Sequence, residues 1–201
     1  MRLPILLALL TLGGPVAAGC LGSADLGAGV VARFASGDSA LLRRGGDGAI
    51  VVEERRADGR PGMRLRAAHG VYVFEEVSLD AQGGPLPETL VGVVYPQAPL
   101  TLPPPAPGRG WSGMTTLRHA TGPARSELTT VGFSQVPPLE IGDCAYRAVG
   151  VEVRYDWGKS GALRLRMAYL PELGAALLLS REPEGRPARG AVPVALERMG
   201  E

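Results

Sequence analysis

From Val30 to Val77 short apolar stretches alternate with turn signals. Val30–Phe34 runs into Ser36-Gly37-Asp38-Ser39. Ala40–Arg43 runs into Gly45-Gly46-Asp47-Gly48. Ala49–Glu54 stops at Asp58-Gly59, and Met63–Ala67 stops near His69-Gly70, before Val71–Val77. Short strands separated by turns at this spacing predict an antiparallel meander. Asp47-Gly48 and Asp58-Gly59 are hairpin cues, because glycine adopts positive φ without a side-chain clash.

The second half has the same logic with longer strands. Within Cys144–Trp157, alternation predicts one face of Ala145, Val149, Val151, Val153, Tyr155 and Trp157. The other face holds Tyr146, Ala148, Glu152, Arg154 and Asp156. Leu163, Leu165, Met167 and Tyr169 alternate with Arg164 and Arg166, and Ala175–Arg181 returns after Pro171-Glu172-Leu173-Gly174. A clean period of two predicts a sheet with one buried and one wet face. These three segments are expected as consecutive antiparallel strands at the centre of the fold. Gly110–Leu117 and Glu127–Phe133 read as two further strands.

Eight of the 18 prolines fall between Pro85 and Pro107. Proline donates nothing to a sheet ladder, so residues 84–109 read as a loop-like insertion, with Leu90–Tyr95 as one strand inside it. Residues 183–201 read as a loosely ordered tail, with an edge strand at Val192–Leu196. No amphipathic helix stands out. The fold expected is mostly β: a single domain over residues 20–182, with about nine to eleven strands in a meander that forms a curved sheet, an open barrel or a sandwich.

The first residues tell a different story. Leu3–Leu12 is apolar apart from Pro4 and Thr11, follows Arg2, and ends at Gly13-Gly14-Pro15 and the small residues Val16-Ala17-Ala18. This is the pattern of a signal peptide over residues 1–19, too short to span a bilayer as a helix. It places the protein outside the cytoplasm, in the periplasm or at the outer membrane of a Gram-negative bacterium.

Cys20, at the end of that segment, has two readings. Ala17-Ala18-Gly19-Cys20 resembles a bacterial lipobox, which implies a lipid anchor on Cys20, although Ala17 stands where that pattern prefers Leu. Alternatively, Cys20 pairs with Cys144, the only other cysteine, as cysteines of exported chains do. Two cysteines so far apart are not a zinc site.

Composition narrows function mainly by exclusion. The chain carries 21 basic and 20 acidic residues, and removing Arg2 with the signal leaves it neutral. No bulk field attracts nucleic acid or an anionic membrane. No later apolar run predicts a transmembrane helix. Arginine supplies every basic residue except Lys159, and asparagine is missing, a bias expected of a GC-rich genome.

Candidate chemistry is sparse. His69 and His119, the only histidines, sit near turns and read as exposed loop residues. Gly110-Trp111-Ser112-Gly113 is one residue short of a nucleophile elbow. Glu53-Glu54 and Glu75-Glu76 each place one carboxylate on either face of a strand, and read as charges matched by Arg55, Arg56, Arg64 and Arg66 across the sheet. No catalytic residue, metal site or cofactor is expected. Most aromatic residues read as core, but Tyr72 with Phe74, and Tyr155 with Trp157, share strand faces and are candidates to line an apolar groove.

Gly142-Asp143-Cys144-Ala145-Tyr146-Arg147, the strand on to Tyr155, and Tyr169-Leu170-Pro171-Glu172-Leu173-Gly174 resemble segments of small exported β-rich proteins of alphaproteobacteria. In architecture alone, the chain is similar to the open-barrel lipoprotein carrier and receptor proteins of the bacterial envelope. The first resemblance implies an exported β-domain, the second a ligand-holding curved sheet, and neither implies a reaction. The expected function is therefore a non-catalytic envelope protein that binds an apolar small molecule or an envelope protein on a curved sheet, the alternatives being a structural or assembly role, or an enzyme. The processing expectation is testable directly: intact mass of the protein from cell-envelope fractions should show cleavage near residue 19, and cytoplasmic protein retaining Met1 would contradict it.

Overall fold

The computed structural model describes residues 19–58 and 60–200; the expected signal peptide falls almost wholly outside them. The chain forms one 13-stranded antiparallel sheet and a separate two-stranded hairpin. The strands are β1 (Val30–Phe34), β2 (Ser39–Arg44), β3 (Ile50–Arg55), β4 (Pro61–Ala68), β5 (Tyr72–Ser78), β6 (Val91–Val94), β7 (Gly110–His119) and β8 (Arg125–Gln135). They continue with β9 (Leu139–Ile141), β10 (Cys144–Tyr146), β11 (Val149–Asp156), β12 (Ala162–Leu170), β13 (Ala175–Pro183), β14 (Arg189–Gly190) and β15 (Pro193–Arg198). The mostly-β reading holds, although there are more strands than expected, because β9, β10 and β14 are too short to leave a periodic signal.

The large sheet runs in the order β14-β13-β12-β11-β8-β7-β6-β5-β4-β3-β2-β1-β15. It is a meander interrupted twice: β9 and β10 leave the sheet as their own hairpin before β11 rejoins beside β8, and after β14 the chain crosses to the other edge, where β15 pairs with β1. The sheet does not close into a barrel. Instead it curls until its two ends pack on each other. One core cluster joins Val30, Ala32, Ala40, Leu42 and Ile50 of β1–β3 to Ala168, Leu170, Ala175 and Leu177 of β12–β13. A second holds Tyr72, Val93, Tyr95, Val131, Phe133, Val149, Val151 and Val153, and includes Ala176 of β13. The start of β13 is thus buried on both faces, which its run Ala175-Ala176-Leu177 permits without a polar side chain on either side. Each large apolar side chain buried in this way contributes about 1.5–3 kcal/mol.

The β4–β5 turn presses against the start of β13. A Cβ on Gly70 would lie 2.9 Å from the Ala176 backbone nitrogen, and Gly70 has φ +71°. Both the close approach and the left-handed backbone demand glycine there. His69 before it has φ 55° and is half-buried, not the exposed loop residue expected from sequence; its Nε2 is buried without a partner.

The strongest alternation in the chain is reproduced only in part. Val149–Asp156, Ala162–Leu170 and Ala175–Pro183 are consecutive antiparallel strands, with Val151 paired to Met167 and Val153 to Leu165. Val151 and Val153 are buried and Glu152 and Arg166 exposed, as the pattern requires. Cys144–Tyr146, however, is not continuous with β11 but pairs with Leu139–Ile141. There the phase slips. Tyr146 is buried in the first cluster, where its hydroxyl accepts a hydrogen bond from the Leu21 amide at 3.0 Å, and Ala145 is exposed. Nor are these strands central, since β13 is next to the edge strand β14. The middle position belongs to β6, a four-residue strand from the proline-rich insertion. Residues after 182 also join the sheet, β14 pairing with β13 and β15 with β1.

Cys20 and Cys144 form a disulfide with their Cα atoms 5.7 Å apart. It spans 124 positions and contributes about 4–5 kcal/mol in the chain-entropy model. A sulfur in that bond has no valence left for a thioether, so this species of Cys20 carries no lipid. The bond is compatible with an oxidising compartment. Among the described residues no helix is long and apolar enough to cross a membrane.

The sheet assignment yields a paired test by urea denaturation. Val151→Asp places an unpaired charge in the second cluster and should abolish cooperative folding. Glu152→Ala should change stability by less than about 0.5 kcal/mol, because Glu152 is exposed and only 3.6–3.8 Å from Arg164 and Arg166. Equal effects would refute the assignment.

Candidate ligand cavity

Inside the curl lies a cavity of about 280 Å³. Its walls come from five regions of the sheet: Met63 and Leu65 of β4, Val73 and Glu76 of β5, Val93 and Leu117 of β6 and β7, Glu127 of β8, and Leu163, Leu165 and Arg181 of β12 and β13. Tyr155 and Trp157, on and just beyond β11, complete the lining. Its size is near the lower end of small-molecule sites, and its composition, apolar walls with a few polar groups, is theirs.

The polar groups are few and unequal. Glu127 is 3% exposed, yet its carboxylate is fully engaged. The Trp157 indole N–H donates to Oε2 at 2.7 Å, and the Thr115 and Thr129 hydroxyls stand 3.1 and 3.3 Å from Oε1, which accepts from one of them at a time. The two threonine hydroxyls also bond each other at 2.9 Å. Thr115 and Thr129 are themselves buried, so β7 and β8 present a polar ladder on an otherwise apolar face. The indole N–H and one threonine hydroxyl offset the desolvation of the carboxylate, the other threonine proton being used in the Thr115–Thr129 bond. Trp157 is 37% exposed, so its ring spans from this buried acceptor to solvent.

Glu76 differs. It is half-buried, and among the described residues its carboxylate has no hydrogen-bond or ion-pair partner. Burial pushes its pKa above the usual carboxylate range, Glu127 and Glu54 add to the rise, and Arg181 and His119 oppose it. Arg181 is the cation of the lining. Its guanidinium stands 3.7 Å from Glu54 of β3, and its Nε is buried without a partner. Burial likewise raises the Tyr155 phenol, with Glu127 and Glu76 nearby reinforcing the effect.

The four aromatic residues singled out from sequence separate. Tyr155 and Trp157 line the cavity; Tyr72 and Phe74 are not among its lining residues. Tyr72 is fully buried at the centre of an aromatic cluster, edge-on to Tyr95, Trp111 and Phe133 at centroid distances of 6.3, 6.4 and 6.3 Å. Its hydroxyl donates to the Pro103 carbonyl at 2.9 Å, tying the proline-rich segment to the core, and burial pushes its pKa up to about 12. Phe74 lies under the Arg66 guanidinium, 5.1 Å from the ring centroid.

The glutamate pairs divide by face, as strand geometry requires. The outer members are matched: Glu53 to Arg64 at 2.9 Å and Glu75 to Arg66 at 3.3 Å. The inner members are not matched by those arginines; Glu54 faces Arg181 and Glu76 faces the cavity. Glu76, Glu127 and Arg181 therefore went unnoticed as site residues. For Glu127 a signal existed, since it shares alternation phase with Thr129, Val131 and Phe133.

Among the described residues no three His, Cys, Asp or Glu side chains converge as a metal site. No protein-family model, curated protein or solved structure matches the chain. The class that fold and cavity define is a curled, open antiparallel sheet with an internal apolar cavity.

The Glu76 environment makes stability depend on pH with a definite sign. A carboxyl whose pKa is raised in the folded state stabilises fully below its ordinary value of 4.5. That contribution is lost as pH rises through the raised value. Urea midpoints of Glu76→Gln should accordingly gain on wild type as pH increases above 4.5; a difference independent of pH would contradict the assignment.

Proposed function

We propose that the protein is exported to the cell envelope and binds an apolar small molecule inside its curled sheet, without catalysing a reaction on it. The observation that carries this reading is the cavity walled by Met63, Leu65, Val73, Val93, Leu117, Leu163 and Leu165. A pocket of this kind inside a small β-domain gains little for stability, because each unfilled volume forfeits packing contacts. Retaining it is reasonable when something fills it. The Cys20–Cys144 bond, which an oxidising compartment sustains, and the signal pattern at residues 1–19 support the location in the periplasm or at the outer membrane.

The experiment is displacement of an apolar fluorescent probe. N-phenyl-naphthylamine should bind the oxidised mature protein at one site with saturation, and Leu165→Trp, which fills the cavity, should weaken binding by about tenfold or more, the equivalent of about 1.4 kcal/mol. Circular dichroism confirms that the variant is folded. No saturable binding, or equal binding by the folded variant, refutes the reading.

A further inference from the structure

The walls of the cavity specify an apolar body, and its polar groups specify what that body must carry. We infer that the ligand is an amphiphile whose head is an ammonium cation, seated between Glu76 and the aromatic faces of Tyr155 and Trp157; this rests on the cavity reading above.

The charges around the cavity are unbalanced. Two carboxylates line it, Glu76 and Glu127, against one guanidinium, Arg181. Arg181 has Glu54 as a counter-charge at 3.7 Å, although its Nε is buried without a partner. Glu127 is satisfied by Trp157, Thr115 and Thr129. Glu76 is left as an acceptor with no donor, on the cavity wall and half out of water. A partly desolvated carboxylate with no protein donor is stabilised by a cation brought against it.

An anionic head would meet Glu76 and Glu127 as like charges, two carboxylates against the single Arg181 guanidinium of the lining. A neutral head leaves Glu76 uncompensated. An ammonium group satisfies Glu76 and lies against the ring faces that bind such cations best; cation–π contact contributes about 0.5–2 kcal/mol depending on desolvation. Trp157 is well placed for this, since its N–H is held by Glu127 while its ring reaches the rim. Two aromatic faces and an unmatched carboxylate on one apolar cavity make a more specific recognition set than acidity alone.

The test is calorimetric titration of the oxidised mature protein with three probes sharing one ten-carbon chain, each below its micelle concentration: decyltrimethylammonium, decanoate and decyl maltoside. Decyltrimethylammonium should bind about tenfold or more tighter than decanoate, consistent with the cation–π range above. Glu76→Gln should reduce that preference to below about threefold, while Glu152→Gln, on the outer face, should retain it. If decanoate or decyl maltoside binds as tightly as the ammonium probe, the headgroup inference is overturned and the apolar-cavity reading stands. If none of the three binds, both are overturned. The wild-type comparison decides by itself if Glu76→Gln does not fold.

Discussion

The double burial of β13 is the constraint on which the rest of the structure depends. A sheet that stops short of a barrel exposes two edges and one apolar face, unless its ends overlap. Here they overlap across a single strand. Ala175 and Leu177 belong to the core shared with β1–β3, while Ala176 belongs to the core shared with β5–β8 and β11. Such a strand must be apolar on consecutive positions, as strands covered on both faces are, and small enough to admit a layer on each side. The β4–β5 turn can then close over its start only because Gly70 has no side chain. Shape, cavity and disulfide all follow from where this strand is held.

Curling also explains how the fold uses its charges. On the outside, arginine and glutamate on neighbouring strands match each other, as in Arg64–Glu53 and Arg66–Glu75. Half-exposed pairs like these contribute at most about 1 kcal/mol each. Inside, the same composition gives a different result, because strands distant in the sheet order meet. Glu54 of β3 finds Arg181 of β13 only through the overlap. The inner carboxylates are few, and each has a distinct solution: Glu127 accepts from Trp157 and the Thr115–Thr129 pair, Glu54 has an ion pair, and Glu76 has neither.

Local periodicity made most of the strands legible. Val30–Phe34 matches β1 residue for residue, and the segments that became β2–β5, β7, β8, β12 and β13 differ from the observed strands mainly by one or two residues at their ends. The disulfide was one of two readings of Cys20. What was not legible is non-local. The strand within the proline-rich stretch was legible as Leu90–Tyr95, but its place in the middle of the sheet was not, because four residues suffice when both neighbours supply partners. The slip at Tyr146 was hidden because the hydrophobic pattern continues through it; what breaks the strand is the covalent bond at Cys144 and the reach of Tyr146 to Leu21. The cavity was half legible. Tyr155 and Trp157 are legible from their shared face, but Glu76 reads as an ordinary surface charge until the curl places its face inward.

The pairing of β1 with β15 brings residues near the two ends of the chain side by side, Val30 opposite Arg198. A polypeptide that emerges amino-terminus first therefore cannot complete this seam until nearly the whole chain is out. The covalent link from Cys20 likewise waits for residue 144. Both closures join distant parts of the sequence, which makes for slow, topology-limited folding. During that interval β1 and β2 carry an apolar face with nothing over it, so the newly made chain depends on being shielded for longer than a fold assembled from local hairpins alone.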